Sequence, residues 1–110
     1  MTPTAATLLC QLARQNDAMQ AAGMVNLLTG ATIVTDENAI RLVFKKQTGK
    51  AKLTHLEIAY NEGTDLYDLK AHRMNKRTFE CPEVWALGGV YAEDLKAAVE
   101  EVTGLYFTMR

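Results

Sequence analysis

Residues 53–72 read LTHLEIAYNEGTDLYDLKAH, two alternating runs around a turn. In the first run Thr54, Leu56, Ile58 and Tyr60 alternate with His55, Glu57 and Ala59, a period of two that puts the apolar set on one side of a strand. Asn61-Glu62-Gly63-Thr64 supplies turn chemistry, and Tyr67, Leu69 and Ala71 then alternate with Leu66, Asp68, Lys70 and His72. An antiparallel hairpin follows, with one face toward a core and one toward water. A two-residue Glu62-Gly63 loop and a four-residue Asn61-to-Thr64 loop both pair residues whose numbers sum to 125, setting Ile58 opposite Tyr67, Leu56 opposite Leu69 and His55 opposite Lys70.

Upstream, Thr32, Ile33, Val34 and Thr35 lead through Asp36-Glu37-Asn38 to alternating Ile40, Leu42 and Phe44, a second hairpin whose return strand runs out at Lys45-Lys46. Gln47-Thr48-Gly49-Lys50 reads as the next loop. Downstream, Asn75-Lys76-Arg77 reads as a turn, after which Phe79 and Cys81 resume alternation as far as Pro82, a residue that marks an edge, a bulge or a strand end. Trp85 and Leu87 alternate again, and Gly88-Gly89 is expected to break the sheet.

Helical periodicity brackets these strands. Ala5, Leu8, Leu9, Leu12 and Ala13 fall on one face of a helix that Thr4 can cap. Asn16-Asp17 interrupts the pattern, Gly23 offers a terminus, and the sequence leaves open whether the helix continues past Asn16. Tyr91, Leu95, Ala98, Val99 and Val102 predict a second helix with Glu93 and Asp94 in its first turn and Gly104 at its C-cap. Leu105, Tyr106, Phe107 and Met109 form an apolar tail expected to dock or to pair as a last strand. The expected fold class is therefore α+β in one domain spanning 1–110: an antiparallel β-meander of about four or five strands flanked by an N-terminal and a C-terminal helix.

The 110 residues are 48% hydrophobic and 23% charged, which suits a packed domain. No run is apolar and long enough for a membrane span, and the N-terminus lacks the basic residues of a signal peptide, so a cytoplasmic protein is expected. Cys10 and Cys81 lack ligand or redox spacing and read as buried reduced thiols. The chain contains no serine, and neither cysteine has a His and acid at motif spacing, so nucleophile chemistry has no sequence signature. Thr29-Gly30 and Gly88-Gly89 do not match phosphate-cradling loops. No metal, cofactor or catalytic residue is expected.

Charge is the remaining signal. Nine of the twelve basic residues lie between 41 and 77 against four acids, giving that stretch +5 and the rest −6 for a net −1. Lys45, Lys46, Lys50 and Lys52 cluster near one hairpin end and Lys70, Arg73, Lys76 and Arg77 near another, and alternate turns of a meander emerge together. One basic edge is expected. The polar face of the central hairpin carries His55, Glu57, Asp68, Lys70 and His72. Two readings follow: a protein partner docked on that sheet face, or nucleic acid bound by Lys45, Lys46, Lys50, Lys52, Arg73, Lys76 and Arg77. Against the second stand a pI near 6.1 and aromatics assigned to core faces. A small enzyme would need a pocket around His72 and Asp68.

The run Gly89-Val90-Tyr91-Ala92-Glu93-Asp94-Leu95, closed by Thr103-Gly104-Leu105-Tyr106, resembles the C-terminal signature of small uncharacterised proteins carried by phages, plasmids and other mobile elements. Leu28-Thr29-Gly30-Ala31 is similar to that family's TGA turn, and Thr64-Asp65-Leu66-Tyr67-Asp68-Leu69 to its strand start, so the likeness spans residues 28 to 106. The longer stretch from Ala13 to Leu27 departs from it. The resemblance implies no catalytic residues. It implies an accessory protein that binds a host or element macromolecule, for instance in modulating host defence. Helix–strands–helix order also resembles double-stranded RNA-binding domains, but Tyr91-Ala92-Glu93-Asp94 stands where those have a basic helix start.

Overall fold

The computed structural model describes residues 3–105. It is an α+β fold with helices α1 (Pro3–Ala13) and α2 (Ala18–Thr29), strands β1 (Thr32–Thr35), β2 (Ala39–Thr48), β3 (Leu53–Asn61), β4 (Leu66–His72) and β5 (Glu83–Val90), and helix α3 (Ala92–Thr103). The five strands form one antiparallel sheet in chain order, a true meander.

The N-terminal helical region is two helices where one was expected. Arg14 adopts a left-handed φ of 51°, ending α1, and Asp17 restarts the chain as N-cap of α2 by accepting from the backbone N–H groups of Met19 at 2.8 Å and Gln20 at 3.4 Å. Thr4 lies inside the first turn of α1, and Pro3 occupies the position where a missing N–H costs nothing. Gly23 is interior to α2, whose C-cap is Gly30.

The ends of α2 and α3 share one design. Thr29 Oγ1 donates to the Val25 carbonyl at 2.6 Å and accepts from Ala31 N–H at 3.1 Å, while Gly30 N–H reaches Asn26 O at 2.8 Å. Thr103 Oγ1 donates to Val99 O at 2.7 Å and accepts from Leu105 N–H at 3.2 Å, with Gly104 N–H reaching Glu100 O at 2.8 Å. The two Thr-Gly pairs of the sequence are thus one helix-terminating device used twice, satisfying carbonyls that a helix end leaves bare.

All three helices cover a single face of the sheet. α1 touches α2, α3 and β2; α2 meets β1, and α3 meets β4 and β5. The core they enclose joins Leu8, Leu9 and Leu12 of α1 to Ile40, Leu42, Leu56, Ile58 and Leu69 of the sheet and Leu95 and Val99 of α3. Each fully buried Leu or Ile contributes about 1.5–3 kcal/mol of transfer free energy. Tyr91, expected on the buried stripe of α3, is its N-cap residue and is 59% exposed. Leu105 packs against the core, whereas the rest of the apolar tail lies outside the described residues.

The central hairpin is in a register two residues from the expected one. Its pairs sum to 127: Ile58 faces Leu69, Glu57 faces Lys70, His55 faces His72 and Tyr60 faces Tyr67. The four-residue loop is Glu62 to Asp65, because Asn61 still pairs with Leu66, the Asn61 side chain accepts from Gly63 N–H, and Asp65 takes a left-handed φ of 56°. A shift of two preserves the faces, so Tyr67, Leu69 and Ala71 are buried as expected.

Two glycines shape the meander, one in the β2–β3 connection and one in β5. Gly49, with φ 75°, presses on the last turn of α3 so closely that a Cβ there would lie 2.1 Å from the Val102 carbonyl oxygen. Gly88-Gly89 does not break the sheet: β5 runs through to Val90 with a register shift opposite Asp68, where Gly89 has φ 69° and donates to Asp68 Oδ1 at 3.1 Å. Phe79 and Cys81 are in no strand, since β5 begins only after Pro82.

Candidate functional site: an open sheet face and a basic groove

Opposite the helices, the sheet presents cross-strand rows to solvent. Thr32, Val43, His55, His72 and Glu83 make one row, and Val34, Arg41, Glu57, Lys70 and Ala86 the next. Charges in the second row alternate in sign. Arg41 lies 3.9 Å from Glu57 and 4.0 Å from Asp36, and Glu57 pairs in register with Lys70. Such exposed pairs add little stability, but they leave the face near neutrality. Asp68 is occupied by the β5 bulge through Gly89 N–H. His55 is directly opposite His72, not Lys70, and its Nδ1 lies 2.8 Å from Thr54 Oγ1. Partial burial first, then the Arg41 cation, then His72 hold His55 below its ordinary pKa, which favours the neutral imidazole over the imidazolium. The five candidate residues share this face, yet Asp68 already accepts from Gly89 N–H and Glu57 already lies beside Arg41.

The basic residues behave differently. β2 continues to Thr48, past the expected end at Lys45-Lys46. Its pairing with β3 loses register beyond Val43 and resumes only where Thr48 meets Leu53. Strict alternation would send Phe44 and Lys46 to the same buried side; the irregular stretch exposes Lys45, Lys46 and Gln47 together. At the same end of the meander, the segment between β4 and β5 folds back on itself through Arg73 N–H to Pro82 O at 3.1 Å and Asn75 N–H to Glu80 O at 2.7 Å. Arg73 ties the two loops, its Nε donating to Lys52 O at 3.1 Å and its Nη2 to Ala51 O.

Between them lies an open groove of about 840 Å³ lined by Lys45, Lys46, Gln47, Thr54, Arg73, Met74, Asn75, Lys76, Arg77 and Pro82. Five of those residues are cations and none is a carboxylate. The structure thus brings together Lys45, Lys46, Arg73, Lys76 and Arg77. Lys50 instead lines a separate cavity with Trp85, Leu87 and Glu101, Lys52 is exposed outside the groove lining with only its carbonyl bonded to Arg73, and Lys70 stays on the sheet face. Met74 belongs both to this groove and to a shallow depression with Arg41, His55, Glu57, His72 and Cys81, making the two surfaces continuous.

Sequence reading missed Phe79 and Met74. Phe79, expected in a strand, stands 79% exposed in the loop that carries Lys76 and Arg77, with φ 60°. The signal was Asn75 three residues before Thr78, a side-chain-capped turn in place of a strand. Cys81, expected buried, is exposed because it belongs to this loop, and Cys10 is half-buried. Among the described residues, no group of three or more His, Cys, Asp or Glu is placed to hold a metal ion, and no helix is long and apolar enough to cross a membrane.

These features define a one-face-open antiparallel meander with a cationic groove at one end. Compared with family models, curated proteins and solved structures, the chain gives no match.

Proposed function

We propose that this protein is a non-enzymatic binding protein that engages an anionic macromolecule through the groove of Lys45, Lys46, Arg73, Lys76 and Arg77. The observation that carries the reading is the grouping of five cations around one groove without a lining carboxylate. Gathering like charges costs self-repulsion, and a bound polyanion relieves it. The resemblance of residues 89–106 to phage and plasmid proteins supports an accessory role on a mobile element, with a host process such as defence as its target. A protein partner docking on the sheet face of His55, Glu57, Asp68, Lys70 and His72 is the second reading, favoured by the uncovered breadth of five strands.

Fluorescence anisotropy with labelled polyanions (an oligonucleotide, its duplex, and polyglutamate) separates the readings. Binding that weakens steeply with salt and is lost in Lys76→Glu/Arg77→Glu supports the groove. Absence of binding to all three at ~50 mM salt removes it. Capture of a host protein that depends on Glu57 and Lys70 instead of Lys76 and Arg77 would establish the sheet-face reading.

A further inference from the structure

The loop between β4 and β5 displays an aromatic ring in a way that the fold does not require. Phe79 is 79% exposed and its backbone sits at φ 60°, a left-handed conformation that costs a non-glycine residue free energy. The conformation is held in place. Phe79 N–H donates to Asn75 O at 2.7 Å, Asn75 Oδ1 accepts from Arg77 N–H at 2.9 Å, and Thr78 Oγ1 accepts from Glu80 N–H at 3.4 Å. Neither the core nor a strand gains from this arrangement. The loop joins the groove at Lys76 and Arg77, which line it, and Phe79 follows two residues later on the same loop, outside the lining itself. The lining is amphipathic, with Met74 and Pro82 among the cations.

A simple anion site needs only the cations. Cations beside an exposed ring and apolar lining match a ligand that alternates phosphates with flat, unpaired π-faces. Duplex DNA hides its base faces in the stack and offers such a ring nothing to cover. We infer that the groove binds single-stranded nucleic acid, with Lys45, Lys46, Lys76 and Arg77 on phosphates and the Phe79 ring stacked on a base. Arg73, already bonded to two backbone carbonyls, holds the loops in position. This inference rests on the anionic-ligand reading above and specifies its chemistry.

The test is anisotropy titration of full-length protein at ~50 mM salt with a labelled oligo(dT) of about 20 nucleotides, a duplex of equal length, and polyglutamate. Phe79→Asn removes the ring while keeping a side chain that tolerates φ near 60°, so the loop retains its shape. Phe79→Trp restores a larger stacking face. The expected result is preference for the single strand over the duplex, a loss of about tenfold in single-strand affinity in Phe79→Asn with duplex binding unchanged, and recovery in Phe79→Trp. Equal binding of single strand by wild type and Phe79→Asn overturns the stacking inference; if duplex or polyglutamate then binds with steep salt dependence, the anionic-ligand reading survives it. Failure of all three ligands to bind overturns both.

Discussion

On the open sheet face each cation has a carboxylate neighbour: Arg41 lies beside Glu57 and Asp36, and Lys70 pairs in register with Glu57. Around the groove at the end of the same sheet, five cations stand with no carboxylate in the lining. Both surfaces are polar and solvated, and both sit on the same strands. Their difference is backbone regularity. Where β2, β3 and β4 keep register, cross-strand neighbours of opposite sign compensate one another, as ladders favour. Where β2 loses register after Val43 and the chain leaves β4 for a loop, side chains no longer face cross-strand partners and like charges accumulate. A charged surface that the fold has already neutralised contributes solubility and little stability, while an uncompensated one is available to a ligand.

The largest test of that contrast is charge reversal at the groove. Lys76→Glu with Arg77→Glu should weaken polyanion binding about a hundredfold at ~50 mM salt while leaving the circular dichroism melt unchanged, since neither side chain has a hydrogen bond or ion pair among the described residues. Next comes the seating of the β2–β3 loop. Gly49→Ala places a methyl group against the Val102 carbonyl at a left-handed φ, and should cost about 2–3 kcal/mol in urea unfolding. On the open face the same measurements should barely move: Glu57→Gln with Lys70→Gln should alter polyanion affinity less than twofold and stability within about 0.5 kcal/mol.

The smallest effect is a pH dependence. Because His55 is held below its ordinary value of 6.5, the unfolded chain takes up a proton at a pH where the folded chain does not. Its contribution to stability is therefore full above pH 6.5 and is lost as pH falls below that through the folded value. His55→Gln should make the decline of urea stability below pH 6.5 shallower than in wild type, and an unaltered decline would show that another group controls it.

The core was readable from the sequence because a period of two in Leu56, Ile58, Tyr67 and Leu69 survives any even register error. The pairing itself was not, since nothing in Asn61-Glu62-Gly63-Thr64-Asp65 distinguishes a loop centred between Glu62 and Gly63 from one centred between Gly63 and Thr64. That displacement replaced His55–Lys70 with His55–His72 and supplied Lys70 with a carboxylate. The basic edge was foreseeable from meander geometry for Lys45, Lys46, Arg73, Lys76 and Arg77. Lys50 escaped because the turn at Gly49 packs on α3 and carries it toward Trp85 and Glu101. Phe79 was hidden by the chance alternation of Phe79 and Cys81, which imitates a strand. Only the bonds from Asn75 show the segment to be a closed loop that exposes its ring. The helix break at Arg14 was undecidable because the capping strength of Asp17 competes with good helix formers on either side.

The most direct measurement is the salt dependence of binding to labelled oligo(dT), taken between ~50 and ~200 mM salt. With Lys45, Lys46, Lys76 and Arg77 each neutralising one phosphate, log K should fall linearly against log salt with a slope of about −3, and Lys76→Glu/Arg77→Glu should reduce the slope by about half. A slope near zero, or the same slope in the double variant, would contradict the assignment of the groove as the binding site.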